Sequence, residues 1–258
     1  MRSKAPEING IVFITGTDTG VGKTLLTAML VAHLRDNGVN ALAMKPFCSG
    51  GIEDLEVLSA MQGHSLSRRK LNPYYFAEPV APLVGAQKRG QKIRLRDVLE
   101  KIADVKSQCD VLLIEGSGGL MVPLGEDFYV LDLIRSLKCP VIVVGCNRLG
   151  IINHALLTLH AMQHAGIKNF KIALMGVKTP DFSTRFNHSI LEKLAGLAGI
   201  TQLPFLAEGS TTERRAKNSF KKMKKTLARL LRFDSLHVRS LRVGSRREAV
   251  SRKNKKIC

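Results

Sequence analysis

A doubly wound, mostly parallel α/β sheet with helices on both faces, three layers deep, is the fold that this 258-residue sequence predicts. Three observations lead there. Short apolar, β-branched runs alternate with stretches whose apolar residues recur at helical spacing. Several of those runs are apolar throughout, as strands covered on both faces are. Apolar residues make up 45% of the chain while tryptophan is absent, so an aliphatic core can fill one sizeable domain.

The elements follow in order. Ile11–Thr15 is the first buried-strand run, and Lys23 to Asn37 carries Leu25, Leu26, Met29 and Leu34 at helical spacing, ending before Gly38. Asn40–Lys45 is a second strand, stopped by Pro46. Val111–Gly116 and Pro140–Gly145 are further central strands, with a helix over Tyr129–Lys138 between them. A long helix over Ile152–His164 and a strand at Lys171–Val177 continue the alternation. In such a sheet ligands sit beyond the carboxyl ends of the strands, where the loops after Thr15, Lys45, Ile114 and Gly145 converge.

After Leu206 the pattern changes. Arg214 to Phe233 reads as one basic amphipathic helix with Phe220, Met223, Leu227, Leu230 and Leu231 on one side, and the remainder reads as disordered. The expected division is therefore a domain over 1–210 and a basic extension, partly helical or disordered, over 211–258. The net charge of +19 maps onto that extension: it holds 17 Lys/Arg against three acids, while the first 210 residues hold 23 against 18. Nucleic acid is expected to be touched, if at all, through this tail; the plainer reading is a solvated basic extension.

No stretch approaches the roughly 18 apolar residues of a membrane span, and the N-terminus lacks an apolar signal region. Five cysteines without a C-x-x-C pair suit reduced thiols, so a cytoplasmic location is expected.

The stretch "IVFITGTDTGVGKTLL", Ile11–Leu26, places a Gly-Lys-Thr between a strand and a helix, the order of a phosphate-binding loop. Backbone N–H groups there converge on anionic oxygens at a helix N-terminus. Lys23 is expected on the β/γ-phosphates and the Thr24 hydroxyl on Mg²⁺, with Gly16, Gly20 and Gly22 permitting the turns. Five residues separate Gly16 from Gly22, one more than the usual four. That longer loop fits the divergent branch of these nucleotide-binding proteins, which includes partition ATPases and ATP-dependent ligases. The position where the ATPases place a second lysine holds Asp18.

At this point the sequence resembles the dethiobiotin synthetases. The resemblance is carried by "GTDTGVGKT" (Gly16–Thr24), "KPFCSG" (Lys45–Gly50), "NPYYFAEPVAP" (Asn72–Pro82), "EGSGG" (Glu115–Gly119) and "LGIINHA" (Leu149–Ala155), in family order. It implies an ATP- and Mg²⁺-dependent ligase that closes a ureido ring on 7,8-diaminononanoate with CO₂. The diamine forms a carbamate, ATP phosphorylates it, and the second amine displaces phosphate. It also implies a homodimer with the substrate site at its interface.

The resemblance assigns roles. Lys45, Lys23 and Thr19 serve catalysis as cations and a hydroxyl around crowded negative charge. Gly20, Val21, Gly22, Lys23, Thr24 and Leu25 bind the nucleotide, as do Asp54 and the Glu115, Gly116, Ser117 and Gly118 loop. Pro204, Phe205 and Leu206, in "LPFLAE", match the adenine side. Ser49 contacts the carbamate, and Gly150, Ile151, Ile152 and Asn153 present helix-terminal N–H groups to the substrate carboxylate. Thr24, Asp54 and Glu115 are the Mg²⁺ ligands, with Glu53 a rival for Asp54 because the loop before it is short. Glu115 ends an apolar strand, where a carboxylate needs a partner or a metal. The His160/His164 pair, without a nearby third ligand, reads as a helix surface or an interface.

Two positions depart from the family: Gly20, commonly glutamate, and Met175–Gly176, where the adenine-reading pair stands. Two rivals remain at this level. A partition-type ATPase with a DNA-gripping tail leaves "KPFCSG" and "NPYYFAEP" without a purpose, and a ligase relative with another substrate shares every catalytic residue.

Overall fold

The computed structural model describes residues 10–196, 200–206 and 211–233. In chain order it contains β1 (Gly10–Gly16), α1 (Lys23–Asp36), β2 (Ala41–Met44), β3 (Phe47–Ser49), α2 (Glu53–Met61), α3 (Arg68–Leu71) and β4 (Tyr74–Phe76). Then come α4 (Pro82–Lys88), α5 (Leu95–Lys106), β5 (Val111–Glu115), α6 (Val130–Leu137), β6 (Val141–Cys146), α7 (Ile151–His164) and β7 (Phe170–Met175). A 3₁₀ turn at Phe182–Arg185, α8 (Asn187–Ala195), β8 (Thr201–Leu203), α9 (Thr212–Lys222) and α10 (Lys224–Leu231) complete it.

The large sheet has the order β2-β5-β1-β6-β7-β8, and all its described pairs are parallel. Its strands are nearly continuous apolar runs because helices cover both faces: every residue of β2 and β5 is buried. The chain leaves β1 toward one edge and returns to β6 on its other side. Register pairs Ile14 with Glu115 and Gly16 with Val144, so the end of β1 is the point where strand order reverses. The loop after β1 therefore opens over that crevice.

Boundaries differ from the sequence reading in places that have local causes. The strand expected through Val177 ends at Met175, and the Gly176 N–H makes one further bond to β8, donating to the Leu203 carbonyl at 2.8 Å. After Pro46 the chain resumes extended structure as β3, which pairs in parallel with β4 in a separate two-stranded sheet.

The largest difference lies at the C-terminus. The single amphipathic helix expected over Arg214–Phe233 is two helices, interrupted at Met223, whose N–H is shared between the Ser219 and Phe220 carbonyls. The interruption lets Leu227, Leu230 and Leu231 turn fully into the same core as the sheet, while Ala216 buries against it from α9. Both helices pack on α1. Residues 212–231 thus share the core of the domain expected to end at 210; the remainder of the expected extension, 234–258, lies outside the described residues. Among the described residues no helix is long and apolar enough to cross a membrane.

Candidate functional site

The loop between β1 and α1 closes with Gly20 and Gly22 at φ 71° and 98°, a backbone region where a side chain is strained. Gly22 is the N-cap of α1, which has no side-chain cap and no acid in its first turn, so its terminal N–H groups and dipole remain available to an anion. Lys23 is buried and donates to the Asp18 carbonyl at 2.9 Å. Asp18, standing where a second lysine is found in the partition ATPases, thus anchors the loop lysine through its backbone.

Across the crevice, strand ends deliver a tight cluster. Glu115, at the end of β5, is 0% exposed. Its Oε1 accepts from the Lys45 ammonium at 2.8 Å and from the Thr24 hydroxyl at 2.7 Å. Lys45, just beyond β2 and also buried, donates in addition to Asp54 in the first turn of α2. Of the two acids that competed in the sequence, it is Asp54 that reaches this cluster. The Glu53 carboxylate instead folds toward Gly51, where an added Cβ would sit 1.8 Å from its Oε2.

Burial acts against the charge on Lys45, yet the Glu115 and Asp54 carboxylates outweigh it and raise its pKa. Lys23 goes the other way: burial lowers its pKa, which Glu115 opposes and Lys45 reinforces. Burial also disfavours the Asp54 carboxylate, but the charge and hydrogen bond of Lys45 hold it below the usual range. A carboxylate held low contributes stability above its ordinary value near 3.8 and loses it as pH falls through the folded value. The Lys45 contribution is complete everywhere below 10.5 and so is constant across this range. Asp54→Asn should therefore lower the urea midpoint at neutral pH, with the two curves converging in stronger acid.

The second Glu115 oxygen, Oε2, is buried without a hydrogen-bond partner. A bare carboxylate oxygen in an apolar strand end is costly unless a cation meets it. Together with the Thr24 hydroxyl and Asp54 it offers hard oxygens of the kind Mg²⁺ takes while keeping waters and phosphate oxygens as its other ligands. Among the described residues no group of three His, Cys, Asp or Glu side chains is placed to hold a metal, His160 and His164 included.

These residues share one cleft of about 630 Å³. Its lining includes, of the expected site, Thr19, Gly20, Gly22, Lys23, Thr24, Leu25, Lys45, Ser49, Asp54, Glu115, Ser117 and Gly118. Val21 and Gly116 do not line it: Val21 is buried under the loop, and Gly116 backs onto Phe13, whose ring an added Cβ would meet at 2.8 Å. Pro204, Phe205 and Leu206 lie beside β7, with Gly176 so close to the Phe205 amide that a Cβ would approach it to 2.5 Å. Met175 in turn touches Gly22, at 3.2 Å from a Cβ placed there. Gly150, Ile151, Ile152 and Asn153 stand at the start of α7, outside the cleft. There the Leu149 N–H is taken by Asp181 at 2.9 Å and that of Ile151 by the Arg148 carbonyl.

The cleft also contains residues that sequence reasoning did not name. Cys48 and Pro79–Pro82 sit inside two of the quoted motifs, which were the available signal. Val122 follows the β5 loop. Thr212 and Arg215 come from α9, and nothing local in the sequence points to them.

Comparison with known proteins fits this geometry. A family model described as an AAA domain matches residues 11–212. The chain is 34% identical over 207 residues to the ATP-dependent dethiobiotin synthetase of Bacillus licheniformis, covering 78% of this chain and 88% of that protein. It is 35% identical to the Bacillus subtilis synthetase, covering 76% and 87%, and 39% identical to that of Nitrosospira multiformis, covering 60% and 70%. Among solved structures, the MinD cell division protein of Aquifex aeolicus aligns with a TM-score of 0.55 at 14% identity, over 86% of this chain and 95% of that one. A ParA family ATPase from Chlorobium tepidum aligns at 0.54 and 14%, over 87% and 98%. At that identity the two structures share the fold alone. The sequence likeness is closer and spans most of the relatives' length: the chain belongs to the ATP-dependent dethiobiotin synthetase family, P-loop ligases of biotin biosynthesis.

Proposed function

We propose that this chain closes the ureido ring of dethiobiotin from 7,8-diaminononanoate and CO₂, consuming ATP with Mg²⁺ and releasing ADP and phosphate. The observation that carries the proposal is the cluster of Lys45, Glu115, Asp54 and Thr24 facing Lys23 across one cleft. A carbamate and a triphosphate brought together repel, so the protein's task is to supply cations and alignment. Lys23 spans from the loop to the phosphates, and the N–H groups at the start of α1 receive them. Lys45 is the ammonium for the carbamate and the transferring phosphoryl group, while Ser49 donates to the carbamate. Thr24, Asp54 and Glu115 would hold Mg²⁺, which when bound neutralises phosphate oxygens and fixes their direction. With carbamate and anhydride held there, attack by the second amine closes the ring and expels phosphate.

The substrate carboxylate is assigned to the start of α7, in a site completed by a second copy. Support comes from the apolar surface at that place: Leu149 and Phe182 are 79% and 75% exposed, and the Phe186 ring lies tilted against that of Phe182 at 5.2 Å between centroids. An exposed apolar patch of this kind supports that reading, because contact with a second copy would bury it.

The decisive assay is incubation with labelled bicarbonate, Mg²⁺-ATP and 7,8-diaminononanoate. Labelled dethiobiotin is expected, and its absence with a folded, nucleotide-binding protein rejects the reaction. The adenine side carries its own expectation. Met175 and Gly176 present no side-chain amide or carboxylate to a base, so GTP and CTP should support turnover at rates within about tenfold of ATP, the scale set by a missing charged or bidentate hydrogen bond. A strict ATP requirement would refute relaxed selectivity.

A further inference from the structure

The lysine at the centre of the proposed chemistry follows directly on an edge strand. β2 pairs with β5 on one side only, so every second residue turns its N–H and C=O away from the sheet. Other groups meet them there. Arg35 donates to the Ala41 carbonyl at 3.1 Å. The buried Gln62 amide takes both groups of Ala43, accepting from its N–H at 2.9 Å and donating to its carbonyl at 3.1 Å. At Lys45 the N–H donates to the Leu71 carbonyl at 2.9 Å, and the carbonyl accepts from Asn72 Nδ2 at 2.7 Å. Pro46 follows and has no N–H with which to carry the ladder on. Two neighbours in the chain, Leu71 and Asn72, therefore hold the backbone of Lys45 from both ends.

The Asn72 amide is committed to this task. Its Nδ2 also faces the Pro46 carbonyl at 3.3 Å and the Tyr74 carbonyl at 3.4 Å. Turning the amide over would set its oxygen against three carbonyl oxygens, so the nitrogen must face them. The other end is then left bare: Oδ1 is buried with no hydrogen-bond partner among the described residues. A bare buried amide oxygen is destabilising, and one kept in a folded chain calls for a reason. Here the reason is the carbonyl of Lys45. The ammonium at the far end of that residue meets Glu115 and Asp54 together, so a shift at its root would draw it off one of them.

We infer that Asn72 is a positioning residue for Lys45: its side-chain amide fixes the strand end from which the ammonium reaches the reacting groups. This rests on the reading that Lys45 serves the chemistry; the placement of the ammonium between its two carboxylates can be measured without it. Gln62 is the built-in control. It is a buried amide bonded to the same strand edge two residues earlier, at the opposite end of α2 from Asp54.

The test uses the full chain as parent, Asn72→Ala, Asn72→Ser and Gln62→Ala, all assayed well below the lowest Tm. Steady-state dethiobiotin formation is read together with the ¹⁵N signal of the Lys45 ammonium by NMR. Asn72→Ala should lower kcat by about 10²-fold, the scale of a misplacement near 1 Å, while KM for ATP and for the diamine stays near the parental value. The Lys45 signal should shift or broaden. Asn72→Ser, whose hydroxyl is too short for the span, should behave in the same way. Gln62→Ala should lower Tm yet keep both kcat and the Lys45 signal. Parental kcat in a folded Asn72 variant overturns the inference, as does a loss that appears in KM alone. So does an equal loss of kcat in Gln62→Ala, which would make the whole strand edge a support without a special role for Asn72. A lost kcat with an unmoved Lys45 signal places the action of Asn72 elsewhere and also overturns it. Failure of both Asn72 variants to fold, with Gln62→Ala folded, makes Asn72 a folding residue and does the same. A parent that yields no dethiobiotin rejects the proposed reaction, and the Lys45 signal then decides the positioning by itself.

Discussion

Lys45→Met should lower dethiobiotin formation by about 10³-fold in kcat, the scale lost when a preorganised charge aimed at the reacting group is removed. It should also destabilise the protein, because Glu115 remains fully buried and keeps only the Thr24 hydroxyl on Oε1. Removing one partner of a buried ion pair costs about 3–5 kcal/mol. The two losses are separable. In the double variant Lys45→Met/Glu115→Gln the buried charge is gone, so Tm should recover while turnover stays low. Mg²⁺ with nucleotide should return part of the stability of the single variant, since a cation again meets the carboxylate. Near-parental turnover in Lys45→Met, measured with the labelled-bicarbonate assay, would remove this lysine from the chemistry.

Stopping the chain after Ser210 should abolish stable folding. Leu227, Leu230 and Leu231 are each 0% exposed, and α9 and α10 cover α1. At about 1.5–3 kcal/mol per buried leucine the three together lose about 4.5–9 kcal/mol, against a typical total stability of about 5–15 kcal/mol. Soluble expression and circular-dichroism melts of chains ending at Ser210 and at Phe233 make the comparison. The first should aggregate or melt without a cooperative transition, and the second should match the full chain. A cooperative, unshifted melt of the shorter chain would show that these helices are dispensable to the core.

Local signals are legible in the sequence. The phosphate loop is contiguous, so Gly16, Gly22, Lys23 and Thr24 announce their turn, charge and hydroxyl within nine residues. The strands β2 and β6 carry no charged residue and β5 is apolar up to Glu115, which makes them legible as strands. The roles expected of Lys45 and Glu115 at the carboxyl ends come from the motifs "KPFCSG" and "EGSGG" rather than from the strand pattern. Asp54 against Glu53 was not decidable from spacing, because a shift of one residue turns a helical side chain by about 100° and only the seating of α2 selects the one facing Lys45. The C-terminal segment shows its helical, amphipathic character in the sequence, but its basic composition is also that of a solvated extension, so the surface that its apolar side covers is not legible there. Packing on α1 identifies what that apolar side covers.

Thus the chain's own order of residues determined the alternating architecture, the anion-cradling turn and the chemical type of the site. Periodicity, backbone freedom and charge are properties of adjacent residues. What only tertiary structure decided is who meets whom: Lys45 between Asp54 and Glu115, Met175 against Gly22, and Arg215 at the rim of the cleft. Those meetings join residues 70 positions apart for the Lys45–Glu115 pair and 153 apart for Met175 and Gly22. They are set by how buried faces pack against one another, which no short window of sequence encodes.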